Sequence, residues 1–245
     1  MSSRDRRQAA CLITWRKVTA ARIFVVLFGG FVALLGWLWL SDSFSLALRT
    51  FLFFFPYLFL FLSQDMYRDE IDSGALENVI FLQDGFRDYL RAKCLILAAI
   101  GLAASLSVFL VLGACGLSLG RFSTGHVLRF AVGLIAGLYY LLVGGCLSFF
   151  LKGGSNVLVI IIGQVFLGIG LFLSMTARRG WVESLLAGSL PDLISRLRLL
   201  AVALVFPNFA VVKPLPYVVP GIILAGLGVF WFGRRRISRL ELFRR

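Results

Sequence analysis

Residues 44–63 read FSLALRTFLFFFPYLFLFLS and decide what kind of fold this chain adopts. The run holds one charged residue, Arg49, and it lacks the alternation of polar and apolar residues that marks a barrel strand. A helix needs about 20 apolar residues to cross the hydrocarbon core of a bilayer. The run therefore predicts a transmembrane helix that is kinked at Pro56, where a neighbouring helix or water takes up the freed carbonyl.

The composition of the whole chain extends this interpretation. Of its 245 residues, 60% are hydrophobic and 15% are charged, whereas a soluble domain is about half apolar and about a quarter charged. Comparable runs recur along the chain, so we predict an all-α, polytopic membrane protein with a single transmembrane domain over residues 1–245. The six predicted spans are Ala20–Leu40, Phe44–Ser63, Cys94–Leu117, Leu128–Leu151, Asn156–Ala177 and Tyr217–Gly233.

The basic residues predict the orientation of these spans. Most of the 25 Lys and Arg residues flank span ends that share one side with the N-terminus, and positive residues favour the cytoplasmic side. Both termini are therefore expected in the cytoplasm. The net charge of +13 follows from this bias. Because the charges are divided among short flanks, membrane lipids and not nucleic acid are the expected partners.

Two further segments are predicted to lie against the membrane surface. Residues 1–19 mix arginines with apolar residues, which predicts either an N-terminal interfacial helix or an ordinary positive flank of the first span. Residues 178–216 are expected on the outer side. Within them Leu199–Phe206 is apolar but too short to cross, so short re-entrant or interfacial helices are predicted before the sixth span.

The six apolar runs contain neither Asp nor Glu, and this limits the chemistry of the interior. Their polar side chains include a few serines with Tyr139, Tyr140 and Gln164, so ion coupling through buried acids is not expected. The single histidine, His126, is expected in an outer loop. The sequence has no Ser/His/Asp grouping, P-loop or metal-binding Cys spacing, so no enzyme activity and no bound cofactor or metal is expected of this chain.

Small residues inside the spans predict where helices approach each other closely. The sequence GLIAG at residues 133–137 has the GxxxG spacing that lets two helix backbones come together. Packing within one chain and a contact between two copies both explain it. The four cysteines are expected to act as small apolar packing residues: Cys11, Cys94, Cys115 and Cys146.

The chain between the second and third spans, residues 64–93, is charged and is predicted to form a cytoplasmic loop. Half of the 12 acidic residues lie between residues 67 and 93. After Gly74, which permits a turn, the apolar residues recur with the spacing of one helical face; they are Leu76, Val79 and Ile80. Acidic residues flank this face: Glu70, Asp72 and Glu77. Such a helix fits a groove on a soluble partner, and a position on the bilayer is disfavoured because anionic lipid repels its acids.

This loop resembles that of the membrane subunits of ABC transporters, in the ABC-2 type (type V exporter) permease family. The resemblance covers the whole chain as a six-span architecture. The matching loop residues are Asp69 and Glu70, the run from Gly74 to Glu77, and Lys93, which opens the third span. Ala75 stands where the family usually has Thr, and Gln83 stands where it commonly has Pro. The chain therefore resembles a divergent member.

The resemblance implies that a coupling helix in this loop contacts an ATPase subunit. The residues implied in this contact are Glu70, Asp72, Gly74, Leu76, Glu77, Val79 and Ile80. It further implies a second permease copy, forming a homodimer, and a separate ABC ATP-binding subunit that holds ATP and Mg. The implied location is the bacterial cytoplasmic (inner) membrane.

The expected function is that of the permease subunit of an ATP-driven exporter that moves a hydrophobic or amphipathic substrate. The aromatic second span and the apolar interior favour lipid-like substrates over ions. The alternative is a non-transporting scaffold that anchors an ATPase-containing complex through the same loop. A channel, in contrast, would conduct without any ATPase partner.

Overall fold

A computed structural model describes residues 22–41, 43–64, 66–67, 85–152, 154–176, 193–212, 214 and 217–242. Within these ranges every regular element is an α-helix. The helices are α1 (Arg22–Ser41), α2 (Phe44–Phe54), α3 (Pro56–Leu62), α4 (Gly85–Ser118), α5 (Thr124–Leu147), α6 (Ser155–Thr176), α7 (Leu193–Val205), α8 (Asn208–Val212) and α9 (Val218–Leu242). The predicted all-α class is confirmed for the described part of the chain.

Among the described residues, three helical segments are long and apolar enough to cross a membrane. They are Phe44–Leu62, which joins α2 and α3, Arg91–Ser118 within α4, and Thr124–Leu147, which is α5. Shorter apolar stretches occur in α1, α6 and α9, at Phe28–Leu40, Ser155–Leu171 and Val218–Gly233. The chain is therefore a helical protein with membrane-spanning character, whereas the full number of six spans stays a prediction.

Several helix ends differ from the predicted span ends, and the starts of α4 and α5 bear on the predicted loops. Helix α4 begins at Gly85 and not at Cys94, so it starts inside the predicted loop 64–93. Helix α5 begins at Thr124, and His126 therefore lies in its first turn and not in a loop. The physical reason is the same in both cases. An apolar run marks the part of a helix that suits hydrocarbon, but the backbone hydrogen bonds continue past it into polar sequence.

Helix α5 is the central element of the bundle, and α3 packs on it through glycines. The glycine face of α5 consists of Gly133, Gly137 and Gly144. Gly133 lies against the ring of Phe55 and Gly137 against the ring of Phe59, while Gly144 meets Ser63 at the end of α3. The GxxxG spacing thus serves packing within the chain, which is one of the two predicted explanations.

These contacts also give the relative direction of the helices. Residues 55, 59 and 63 meet residues 133, 137 and 144 in the same order, so α2 and α3 run parallel to α5. The Cys146 sulfur lies 3.5 Å from the carbonyl oxygen of Val229, which brings the later part of α9 to the same end. The charged loop after α3, the connection after α5 and the end of α9 therefore share one end of the bundle.

A cluster of phenylalanines joins α2, α4 and α5. The rings of Phe109 and Phe130 stack with their centroids 4.0 Å apart, and Phe51 stacks at 5.2 Å on Phe55. Phe55 in turn lies 5.1 Å from Phe130. Each aromatic side chain buries a large apolar area, and such pairs contribute about 0.5–1.5 kcal/mol beyond the area itself. This cluster holds the ends of α2 and α5 that lie away from the charged loop.

The outer surface of the bundle is apolar to a degree that suits lipid contact. Large hydrophobic side chains protrude from most helices; among the most exposed are Val26 in α1, Leu95 in α4, Phe166 in α6 and Leu224 in α9. Leu40 is 89% exposed. A soluble protein rarely presents apolar patches above a few hundred Å², whereas hydrocarbon or a second membrane subunit covers them without cost.

Within the described residues, two short helices, α7 and α8, precede α9. Helices α7 and α8 are separated by Phe206 and Pro207, and they pack against α2, α5, α6 and α9. Of the predicted apolar run Leu199–Phe206, all but Phe206 forms the second half of α7. Their depth in a membrane stays a prediction, and the N-terminal interfacial helix, residues 1–19, lies outside the described residues.

We expect Gly137→Ala to destabilise the protein, although alanine favours a helix over glycine by about 1 kcal/mol. The added methyl carbon would lie 2.5 Å from Cδ2 of the fully buried Phe59, so the ring or the helix must shift at a cost of about 1–3 kcal/mol. The matched control is Gly168→Ala on α6, where the methyl meets nothing within 4 Å. Thermal unfolding in detergent measures both, and a midpoint that Gly137→Ala leaves unchanged would contradict the packing role of the glycine face.

Candidate functional site

The residues predicted to contact an ATPase subunit all lie outside the described residues. They are Glu70, Asp72, Gly74, Leu76, Glu77, Val79 and Ile80. The coupling helix therefore stays a prediction. The structure does describe both ends of the charged loop, from Gln64, Met66 and Tyr67 on one side to the start of α4 on the other.

The first end of the charged loop is packed tightly against the end of α5. We call this contact the loop base, and it consists of Met66, Tyr67, Ser148 and Phe149. Met66 and Tyr67 are buried, and the ring of Tyr67 stacks on Phe149 with centroids 4.6 Å apart. The backbone N–H of Tyr67 donates to Ser148 Oγ over 3.2 Å. The chain thus leaves the bundle from a fixed position.

The hydroxyl of Tyr67 is held among sulfur atoms. Cys94 of α4 and Cys146 of α5 both lie near enough to this hydroxyl to act on it electrostatically. Burial raises the pKa of Tyr67 well above its ordinary value, and the nearby thiols act in the same direction. The phenol therefore stays neutral at physiological pH. Through this one side chain the loop base contacts both α4 and α5.

The second end of the charged loop continues into α4 without a break. This helix runs from Gly85 through Lys93 to Ser118. The polar residues that precede the apolar run of the predicted third span therefore belong to the same helix as that run. Lys93, predicted to open the third span, is only 6% exposed. Charged side chains are seldom buried to this extent, so Lys93 belongs to the packed end of α4 and not to a solvated loop.

Asn156, at the start of α6, connects the ends of α3 and α5 near the loop base. Its Nδ2 donates to the Ser63 carbonyl oxygen over 2.9 Å and to the Gly144 carbonyl oxygen over 3.0 Å. Ser63 ends α3 and Gly144 lies near the end of α5, so one fully buried amide joins three helices. Sequence reasoning treated Asn156 only as a span boundary.

Further into the bundle, Tyr57, Tyr140 and Gln164 form a polar cluster in apolar surroundings. The Tyr57 hydroxyl donates to Gln164 Oε1 over 2.6 Å. Gln164 Nε2 donates to the Tyr140 hydroxyl over 2.8 Å and to the Val205 carbonyl oxygen over 3.0 Å. The cluster links α3, α5, α6 and the end of α7. In low dielectric such bonds hold the four helices in one arrangement, because an unpaired polar group there is costly.

Asn208 completes the polar contacts at the break between α2 and α3. Pro56 has no backbone N–H, so the helix cannot continue its hydrogen-bond ladder through Phe55. Asn208 Nδ2 of α8 donates to the Phe53 carbonyl oxygen at 2.5 Å. The carbonyl that Pro56 leaves without its helical partner is that of Leu52, so Asn208 binds the neighbouring carbonyl at the break and not the freed one. The donor Asn208 was not identified from the sequence.

Some of these residues are recognisable in the sequence. Gln164 and Tyr140 stand out as polar positions inside apolar runs, and both belong to the polar cluster. Tyr57 lies in a phenylalanine-rich run and Asn208 follows a short apolar segment, so neither position stands out in the same way. A uniform rule, that every amide or hydroxyl inside an apolar segment needs a partner, would have singled out these positions.

An apolar cavity of about 150 Å³ lies beside the break, and we call it the aromatic cavity. Its lining is contributed by α1, α2, α3 and α4, and includes Phe28, Phe31, Phe54, Phe61 and Ser105. The volume suits part of a hydrocarbon chain or one aromatic ring. Within the described ranges, no group of three or more His, Cys, Asp or Glu residues is placed to hold a metal ion.

Comparison with known proteins identifies no relative. The chain matches no protein-family model, no curated protein and no solved structure. The resemblance to ABC-2 permeases therefore rests on the residues of the charged loop and on the helical architecture.

We expect Tyr140→Phe to lower the free energy of unfolding by about 0.5–1.5 kcal/mol, because Gln164 loses a hydrogen-bond acceptor in the interior. The control is Tyr139→Phe, which removes the same hydroxyl from the neighbouring residue, where it has no hydrogen bond in the described part of the chain. Gln164→Leu should cost more, about 1–3 kcal/mol, because two tyrosines and one carbonyl lose their partner. Unfolding in mixed detergent measures all three, and equal effects of Tyr139→Phe and Tyr140→Phe would argue against the polar cluster.

Proposed function

We propose that this chain is the permease subunit of an ATP-driven ABC exporter that translocates a hydrophobic or amphipathic substrate. The observation that supports this most is the attachment of the charged loop. One end is fixed at the loop base, where Tyr67 contacts Ser148, Phe149 and Cys94, and the other end is the start of the long helix α4. A loop that transmits force needs such rigid attachment at both ends.

The proposed mechanism begins at the apolar face that the sequence predicts after Gly74. The face of Leu76, Val79 and Ile80 seats in a groove of a cytoplasmic ATPase subunit, and the acids around it meet basic groups at the rim. ATP binding closes two ATPase subunits, which displaces the loop. The loop base passes this displacement to α5, and the start of α4 passes it to the α4 span. The helices then rock as bodies because their packed interior does not deform continuously.

The substrate class follows from the interior. The aromatic cavity offers phenylalanine rings, and the apolar runs hold no carboxylate for an ion. The apolar outer faces of α1, α6 and α9 supply the surface for a second permease copy and for lipid. ATP and Mg act on the separate ABC ATP-binding subunit. The proposed location is the bacterial inner membrane, with both termini in the cytoplasm.

Site-specific photo-crosslinking in cells tests the ATPase contact. A photoreactive phenylalanine derivative in place of Ile80 should capture a protein that carries a P-loop, identified by mass spectrometry. The control is the same derivative in place of Leu185, in the segment proposed to lie on the opposite side. The reversed-charge variant Glu77→Lys should reduce the Ile80 adduct by about tenfold, since a charge-assisted contact contributes about 1.5–3 kcal/mol. Capture of the same protein from both positions, or of lipid alone from position 80, would contradict the proposal.

The scaffold alternative uses the same loop and needs a different measurement. Proteoliposomes that contain this chain with its crosslinked ATPase should hydrolyse ATP faster when lipid-like substrates are present and should move them across the bilayer. An ATPase that binds the loop but responds to no such substrate, with no movement, favours the scaffold.

A further inference from the structure

The end of the bundle opposite the charged loop carries an open cavity of about 530 Å³, which we call the arginine cavity. Three helices contribute to it: α2 with Arg49, Thr50, Leu52, Phe53 and Phe54, α5 with Arg129, and α8 with Val211 and Val212. We propose that the arginine cavity binds an anionic phospholipid, with its phosphate on Arg49 and Arg129 and its acyl chain against Phe53 and Phe54.

The two arginines come together because α2 and α5 run parallel. Phe51 and Phe55 both meet Phe130, so the residues that precede them, Arg49 and Arg129, lie at the same level of the bundle. Both guanidinium groups are near enough to His126 to act on it electrostatically. The cavity thus concentrates positive charge from two helices at one point near the end of the apolar region.

Neither arginine is neutralised within the described part of the chain. No carboxylate or other acceptor there bonds to the guanidinium group of Arg49 or Arg129. Arg121, which lies between α4 and α5 at the same end, is exposed and does not line the cavity. Two guanidinium groups in one cavity attract an anion, and the planar donor set of arginine matches a phosphate in two parallel hydrogen bonds.

The rest of the lining selects an amphiphile over a free anion. Below the arginines the walls are Leu52, Phe53 and the two valines of α8, which offer apolar surface and no further charge. Phe54 is half exposed and lines both the arginine cavity and the aromatic cavity. An acyl chain that starts at the arginines therefore meets Phe54, whose ring also borders the aromatic cavity with Phe28 and Phe31. Basic pockets between membrane helices bind lipid phosphates in this manner.

The arginine cavity is separate from the proposed ATPase contact, and its occupancy does not depend on transport. It lies at the end of α2 and α5 that is remote from the loop base. Binding is therefore measurable on the purified full chain without any ATPase subunit. Failure of this proposal leaves the proposed function untouched, and the reverse also holds.

The test is a lipid titration of the delipidated chain in detergent, followed by native mass spectrometry. Dioleoyl phosphatidylglycerol should bind at least about tenfold more tightly than dioleoyl phosphatidylcholine, as expected for one to two charge-assisted hydrogen bonds. The double variant Arg49→Gln/Arg129→Gln should lose this preference. The charge-matched control Arg121→Gln/Arg198→Gln should keep it. Equal binding of the two lipids to the unaltered chain, or equal loss in both double variants, would overturn the proposal.

Two further arms separate a lipid from a free anion. Phe54→Ala should weaken dioleoyl phosphatidylglycerol more than dihexanoyl phosphatidylglycerol, because only the long chain reaches past residue 54. Inorganic phosphate should compete poorly with the dioleoyl lipid. If phosphate competes as well as the lipid does, or if chain length has no effect, the cavity is a site for a free anion and the lipid assignment is wrong. The thermal midpoint of each variant without added lipid checks that it is folded.

Discussion

The structure depends on the break between α2 and α3. In hydrocarbon a backbone carbonyl without a partner costs several kcal/mol, so a proline in mid-span requires a donor from elsewhere in the protein. At this break Asn208, at the start of α8, donates to the carbonyl oxygen of Phe53, which follows the Leu52 carbonyl that Pro56 leaves without its helical partner. That hydrogen bond brings α8, and with it the end of α7, into contact with α2. The polar contacts that surround Gln164 follow from the same placement, because Val205 then lies beside α6.

The break also separates two helices, α2 and α3, that make different contacts. Helix α2 carries the phenylalanine cluster and Arg49, so it forms the end of the bundle with the arginine cavity. Helix α3 carries the rings that fit the glycine face and ends at Ser63, which leads into the loop base. A single proline thus separates the end that we propose binds a lipid from the end that we propose receives force from an ATPase subunit.

The helices were predictable from the sequence because a segment that is transferred into an apolar environment needs consecutive apolar residues. A run such as residues 44–62 is apolar whatever its neighbours in the fold are. Helix ends were less predictable, since the backbone ladder of α4 continues past the apolar run to Gly85. The polar partners were not predictable. Asn208 and Phe53 lie 155 residues apart, and only the packed bundle brings them together. The coupling residues after Gly74 remain an inference from sequence.

The fit of Phe55 and Phe59 into the glycine face limits how α3 can travel along α5. A shift by one helical turn, about 5.4 Å, would carry Phe55 from Gly133 to Gly137, the next notch. The same shift would drive Phe59 from Gly137 into the side chain of Leu141, which is buried. The glycine face therefore fixes the register of α3 and α5 and prevents one helix from moving along the other. A displacement of the loop base would therefore have to turn α3 and α5 together, as one rigid unit.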